Sequence, residues 1–262
     1  MTNALRVFWV GGLMSYRALF NWATPAIYIP TMLGSPLFQI LFFAYVGRYA
    51  RLQDDAFFVV GNAVQVSAMA GIYGMAMAIG GERWQGTLGP LLASPANRVA
   101  LFLGRMIPQV VNGLVVSAWG FLVGRLLLDF DPPLSSLPAL ALVVLVSTMA
   151  CVAFGACYGA IGLRARDVFV GANIIYFLML LFCGVNVPLA ELPGWMQAIG
   201  NGLPLTHGIA AARDVAAGAS LGDVWDLVAT EALVGAAWAA VGFVLFRFFE
   251  LEGRRRATLD IL

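Results

Sequence analysis

Residues 137–162 read LPALALVVLVSTMACVAFGACYGAIG, an apolar run without one charged side chain. A hydrocarbon core about 30 Å thick is crossed by roughly 20 helical residues. Lipid offers the backbone no hydrogen-bond partners, so a run of this length predicts a membrane-spanning helix. Working outward, five more runs have the same character: approximately Ala23 to Val46, Phe57 to Gly81, Val99 to Leu128, Val168 to Pro188 and Val224 to Phe249, each bounded by charges, Pro or Gly. A spanning β-barrel needs segments of about ten residues that alternate apolar and polar. These runs are continuously apolar, which excludes it. The whole chain agrees: of 262 residues, 61% are hydrophobic and 11% charged, against roughly 25% charged in soluble domains. The expected fold is an all-α integral membrane protein with six transmembrane helices, forming one domain over residues 1–262 without an internal repeat.

Arginines set the expected orientation, because the chain has no lysine and retained cytoplasmic loops are enriched in basic residues. With both ends inside, Arg6, Arg17, Arg83, Arg98, Arg105, Arg164, Arg166, Arg247, Arg254, Arg255 and Arg256 are cytoplasmic; Arg48, Arg51, Arg125 and Arg213 are outside. The start of the chain, residues 1–22, has too short an apolar stretch for a span and no small-residue cleavage site. It reads as an amphipathic helix, Asn3 to Trp22, at the cytoplasmic interface, with Phe8, Trp9 and Leu13 toward lipid and Arg6 and Arg17 toward headgroups.

Several chemistries are disfavoured by composition. Cys151, Cys157 and Cys183 all fall in expected spans, where a thiol behaves as a small apolar group. His207 is the single histidine, so neither a disulfide nor a metal site is implied. Intramembrane acids mark ion pathways, but only Glu231 qualifies, and pairing with Arg213 competes with a relay role. A phosphate-cradling P-loop requires a lysine, so the chain cannot be its own P-loop ATPase. Nothing in it calls for nucleic acid.

Between the second and third runs lies ERWQGTLGPLLASPANR, Glu82 to Arg98. Leu88, Leu91 and Leu92 recur at three- and four-residue spacing and line one face of a short helix. Glu82, Arg83, Gln85 and Thr87 mark its polar entrance, and Pro95 closes it. Such a helix either rests on the membrane surface or lays its apolar face into a groove of a partner protein. Between the last two runs, residues 189–223 are too broken by Gly and Pro to span, yet Trp195, Met196, Ile199 and Leu203 form an apolar stripe. Irregular backbone survives in lipid only when buried in protein or lining water. Two short helices dipping into the outer leaflet are expected, capping the exit route with Trp195, Pro204, Thr206 and His207; Thr206 and His207 start the second.

At these residues the chain resembles a known family. Glu82, Arg83, Gly86, Thr87, Leu88, Leu91, Leu92, Ser94, Pro95 and Arg98 are similar to the E-R-x-x-G-T-L-x-x-L-L-x-S-P-x-x-R signature of the ABC transporter type 2 membrane proteins, in their drug-exporter and nodulation-factor-exporter branch. Gly89 departs from it, standing where many relatives carry an acidic residue. Leu192, Pro193, Trp195, Leu203, Pro204, Leu205, Thr206 and Arg213 resemble that family's L-P-x-W...L-P-L-T...R pattern. The resemblance implies a permease subunit of an exporter, paired with an identical or paralogous permease and two copies of a separate ABC ATPase. ATP and Mg would be bound by that ATPase, leaving no cofactor in this chain. It also implies that Glu82 to Arg98 is the coupling helix, with Leu88, Leu91 and Leu92 as its docking face, flanked by Arg17 and the Arg164 to Asp167 loop.

The resemblance further implies that the second and fifth spans line a central cavity. Polar residues interrupting those spans are Asn62, Gln65, Ser67 and Tyr73, and Asn173, Tyr176 and Asn186. Phe177, Met179, Met75 and Met77 supply an adaptable apolar wall. Taken singly, each polar residue is as well explained by helix-to-helix hydrogen bonding. The pairs Gly120/Gly124 and Gly155/Gly159 have the spacing that lets helices approach within the subunit. The expected cargo is an amphiphilic drug-like or lipid-linked molecule. An ion-coupled secondary transporter, or a regulatory membrane subunit that carries no cargo, is the alternative.

Overall fold

The computed structural model describes residues 3–22, 25–84, 98–162 and 168–256. Their secondary structure is helical: α1 (Asn3–Trp22), α2 (Pro25–Tyr28), a π-helical segment (Ile29–Gly34), α3 (Ser35–Ala50), α4 (Asp55–Trp84), α5 (Arg98–Leu127), α6 (Leu137–Gly162), α7 (Val168–Phe182), α8 (Gly194–Gly202), α9 (Thr206–Ala216) and α10 (Trp225–Arg256). Five segments among the described residues are long and apolar enough to cross a membrane: Ile29–Ala50, Asp55–Ala78, Leu103–Leu127, Leu134–Ile161 and Trp225–Phe248.

The sequence led us to expect six. The difference is α7, an apolar helix of 15 residues where the sequence offered an unbroken run to Pro188. Its end is set by Gly184, whose φ of +71° turns the chain out of the helix, a conformation an L side chain rarely adopts.

α4 is the centre of the bundle. Its apolar window is 78% buried, against 17–56% for the other four long segments, and it packs on α3, α5, α6, α7 and α9. Small residues make this possible. A Cβ added at Gly155 of α6 would lie 2.3 Å from the Gly71 carbonyl oxygen, and one at Gly124 of α5 would lie 2.3 Å from Val59 Cγ1. Backbones therefore meet almost directly, which is how apolar helices gain van der Waals contact without a hydrophobic driving force between them. The Gly120 and Gly155 contacts both lie within the subunit, as their spacing led us to expect. The facing pairs also fix direction. Val59 faces Gly124 and Ala63 faces Gly120, so α5 runs antiparallel to α4; Ala150 faces Gly235 and Cys157 faces Gly242, so α10 runs parallel to α6.

α4 starts where Asp54 accepts a hydrogen bond from the Phe57 amide at 3.0 Å, satisfying an orphan donor of the first turn. At its other end it continues through Glu82 and Arg83 to Trp84, so these two residues extend α4 rather than open a separate helix. α1 has the expected bounds and lies along α5, with Gly12 and Gly104 at the crossing. Trp9 and Leu13 are exposed as expected; Phe8 is half-buried, because its backbone approaches Gly104.

Candidate functional site

Two of the residue groups singled out in the sequence become connected structures. On the face of α4 toward α7, Asn62 donates to Asn186 at 2.8 Å and accepts from Gln39 of α3 at 2.9 Å. Tyr176 donates its hydroxyl to the other end of the Gln39 amide at 2.9 Å. Gln65 donates to the Tyr176 carbonyl at 3.3 Å, and Tyr73 donates to Asn173 at 2.7 Å, with its ring 6.0 Å from that of Tyr176. Asn62, Gln65, Tyr73, Asn173 and Tyr176 thus form one polar seam, and Asn186 belongs to it. Unpaired polar groups are costly in an apolar setting, which explains why side chains from three helices converge.

The seam is graded in exposure. Asn62 and Gln65 are fully buried, Tyr73 is half-buried and Asn173 is exposed. Asn173 shares its face with Val170, Ile174, Phe177, Leu178 and Leu181, all exposed. Met75 and Met179 are buried core residues, not wall. Gln39 was missed from the sequence, although a single amide inside an apolar run was a usable signal. So was a second polar column on α5: Arg105 donates to the Ala78 carbonyl at 2.6 Å and Asn112 accepts from Tyr28 at 2.7 Å.

The α8–α9 hairpin is the second structure. α9 begins at Thr206 as expected. The Thr206 hydroxyl donates to the Gly200 carbonyl at 2.6 Å, and His207 lies 3.3 Å from the Asn201 carbonyl. Pro204 and Leu205 are buried, and the Pro204 carbonyl accepts from the Cys183 thiol at 3.4 Å. Trp195 of α8 is exposed and meets Phe182 edge-on at 5.9 Å. Trp238 of α10, not anticipated, donates its indole N–H to the Gly202 carbonyl at 2.9 Å.

Glu231 and Arg213 do not pair, which removes one of the two alternatives the sequence left open for Glu231. Glu231 is fully buried rather than snorkelling, and its carboxylate accepts from the amides of Leu205 at 2.7 Å and Gly208 at 3.0 Å. It caps the start of α9 from 23 residues away along the chain. Arg213 sits near the other end of α9. It donates to the carbonyls of Gly184 at 2.9 Å, Val185 at 2.7 Å and Phe57 at 3.2 Å, and lies 3.5 Å over the Phe57 ring. Burial lowers its pKa to about 9, against the opposing pull of Asp54 and Asp214, so it stays charged at neutral pH. Acid and base separate because each finds backbone dipole ends of opposite sign to its own: amides at a helix N-terminus for the acid, carbonyls at chain turns for the base.

The coupling element remains a sequence inference. Gly86, Thr87, Leu88, Leu91, Leu92, Pro95, Arg164 and Asp167 lie outside the described residues. Glu82 and Arg83 close α4, Arg98 opens α5 and Arg17 belongs to α1, which brackets the element between two long helices packed on each other.

Comparison with known proteins bears on this arrangement. The family described as ABC-2 type transporter matches residues 12–216. The chain is 22% identical over 203 residues to "Probable multidrug ABC transporter permease YbhR" of Escherichia coli (strain K12), covering 74% of this chain and 53% of that protein. It therefore spans about half the length of that relative. It is 24% identical over 239 residues to "Daunorubicin resistance ABC transporter permease protein DrrB1" of Streptomyces coeruleorubidus, covering 88% and 84% of the two chains. It is 25% identical over 226 residues to "Probable doxorubicin resistance ABC transporter permease protein DrrC" of Mycobacterium tuberculosis (strain ATCC 25618 / H37Rv), covering 82% and 80%. With a continuous match that takes in α3 through α9, the chain belongs to the ABC-2 type transporter family.

Proposed function

We propose that this chain is the membrane-spanning subunit of an ATP-driven exporter, powered by a separate ATPase and moving an amphiphilic compound outward across the cytoplasmic membrane. The observation that carries the reading is the seam joining α3, α4 and α7: it runs from buried amides to Asn173, beside an exposed apolar face. A cargo with polar and apolar parts matches such a surface better than a purely ionic one. The α7 face, with exposed Phe38, Phe42 and Tyr45 on neighbouring α3, is where we place a second permease subunit, identical or paralogous, with the substrate passing between.

Six crossings fit this reading. α6 and α10 run parallel, so the chain between them must return, and α7 is the returning segment. It runs antiparallel to α4: Asn173 meets Tyr73 and Asn186 meets Asn62. Both termini then lie on the cytoplasmic side, where the arginines vote to put them. The α8–α9 hairpin caps the outer end as a gate, and residues 82–98 receive the ATPase stroke.

Purification of the chain in mild detergent from its native cell tests the reading. A stoichiometric P-loop ATPase is expected in the preparation, and its absence after gentle crosslinking overturns the proposal. With the ATPase present, replacing Leu91 and Leu92 by Asp is expected to abolish transport while membrane insertion is retained, because two charges cannot enter an apolar docking groove. Transport at the unmodified rate would remove the coupling role. Asn173→Leu tests the seam. Exposed polar pairs contribute little to stability, on the order of 1 kcal/mol or less, so folding should hold while the transport KM rises several-fold. An unchanged KM would make the Tyr73–Asn173 pair a packing feature only.

A further inference from the structure

We infer that Glu231 is the positioning residue of the α8–α9 hairpin: its carboxylate latches the start of α9 to α10, as Arg213 ties the other end of α9 to the turn after α7. The latch stands on geometry, and its consequence for export rests on the hairpin being the gate.

The hairpin tip is backbone-rich and buried, which makes its hydrogen bonds a complete accounting question. The Gly200 carbonyl takes the Leu203 amide and the Thr206 hydroxyl. The Gly202 carbonyl takes Trp238, and the Leu205 and Gly208 amides take Glu231. The polar partners reaching in from outside the hairpin and its lead-in are thus Glu231 and Trp238, both on α10. From the α7 side the tip receives the Cys183 thiol, at 3.4 Å, a weak donor, and Gly200 packs on the end of α7, where an added Cβ would lie 2.3 Å from the Phe182 carbonyl oxygen.

Geometry explains why a carboxylate is needed. Leu205 holds φ +86°, a strained conformation for a residue with a side chain. That strain aims its amide at Glu231 Oε1 while Gly208 reaches Oε2. Two N–H donors on two oxygens, at the positive end of a helix, suit an anion that can only accept. An amide in its place would turn a donor toward a donor. Gly208 brings α9 close enough: a Cβ there would fall 1.9 Å from Ser147 Oγ and 3.4 Å from Glu231 Cδ. The first turn of α9 is therefore seated against α6 and α10 at backbone distance. These two helices are themselves joined through Gly235 against Ala150 and Gly242 against Cys157. α6, α10 and the first turn of α9 thus pack together.

The native thiols report on the latch. Cys183 lies beneath the tip, while Cys157 is buried on α6 against Gly242, eleven residues along α10 from Glu231. The experiment treats membranes carrying the full chain and its ATPase with a membrane-impermeant maleimide, and identifies labelled cysteines by peptide mass spectrometry. Glu231→Gln is expected to speed labelling of Cys183 at least tenfold with Cys157 unchanged. Trp238→Phe, which removes only the bond to Gly202, should give a smaller rise, and Glu231→Asp should fall between Gln and the unmodified chain. Protection of Cys183 in Glu231→Gln overturns the latch, as does a parallel rise at Cys157, which would report general loosening. The gate reading fails separately: labelling of Cys183 in the unmodified chain that does not respond to ATP overturns it and leaves the latch standing.

Discussion

Gly155→Val is expected to leave almost no folded protein in the membrane. The first atom of the new side chain would lie 2.3 Å from the Gly71 carbonyl oxygen, 2.8 Å from its carbonyl carbon and 3.0 Å from Ile72 Cα. All three belong to backbone, so no rotamer change relieves the clash and α4 must separate from α6. Overpacking where side chains can adjust costs about 1–3 kcal/mol; a contact between two backbones exceeds that range. The separation also reaches further than one site, because α4 packs on five other helices. Gly222→Ala is the control: its added Cβ would meet only Ser220 Oγ, at 3.6 Å. Size-exclusion chromatography of detergent extracts should show the control as a single peak at the position of the unmodified chain and Gly155→Val as aggregate. A monodisperse Gly155→Val at unmodified yield would mean that the two helices do not meet as described.

Arg213→Ala is expected to have the second-largest effect. It leaves the carbonyls of Gly184, Val185 and Phe57 without the guanidinium that binds them, and each buried unsatisfied group costs about 1–3 kcal/mol. The loss falls where α4, the end of α7 and α9 meet, so transport should vanish and the apparent melting temperature should drop sharply. Lysine is not expected to rescue. It cannot reach three carbonyls with the planar fork, and it begins from a pKa of about 10.4. The burial that lowers Arg213 to about 9 would draw a lysine toward neutrality. Folded-state pKa depression of a base means that the charged form costs stability below the unfolded value, so a lysine variant should gain stability as pH rises. Thermal scans of Arg213→Lys between pH 7 and 10 check this: a melting temperature that does not rise with pH contradicts the burial argument. Gly61 belongs to the same site, since a Cβ there would lie 2.6 Å from Arg213 Nη2.

Helices bounded by strong local signals were legible in the sequence. Leu137–Gly162 and Asn3–Trp22 match their predicted bounds, because charge-free length and amphipathic spacing are properties of the segment alone. The start of α9 at Thr206 was read from the same local grammar. What failed was set elsewhere in the chain. α7 stops at Phe182 because of a left-handed glycine, and a hydropathy profile contains no backbone sign. The partner of Glu231 could not be read, since a side chain on α10 caps a helix that ends well before α10 begins. Polar residues on α4 and α7 were found as individuals, and their union through Gln39 required knowing that α3 lies beside both.

The π segment at Ile29–Gly34 carries a consequence of its own. There the Ser35 amide reaches back five residues to the Pro30 carbonyl, one residue more than an α-helix requires. An added residue advances the helix by about 100°, since 3.6 residues make a turn. The segment acts as a phase shifter within a single rod. Beyond it, Gln39 points at Asn62 on α4; before it, Tyr28 points at Asn112 on α5. In α-helical register these residues lie eleven apart, on a common face. The slip lets one helix address two neighbours in turn, and the Leu33 carbonyl in the slipped region is taken up by the Trp119 indole. Two halves of one rod thereby answer to different partners, so the helix can be indexed against α4 without being re-indexed against α5.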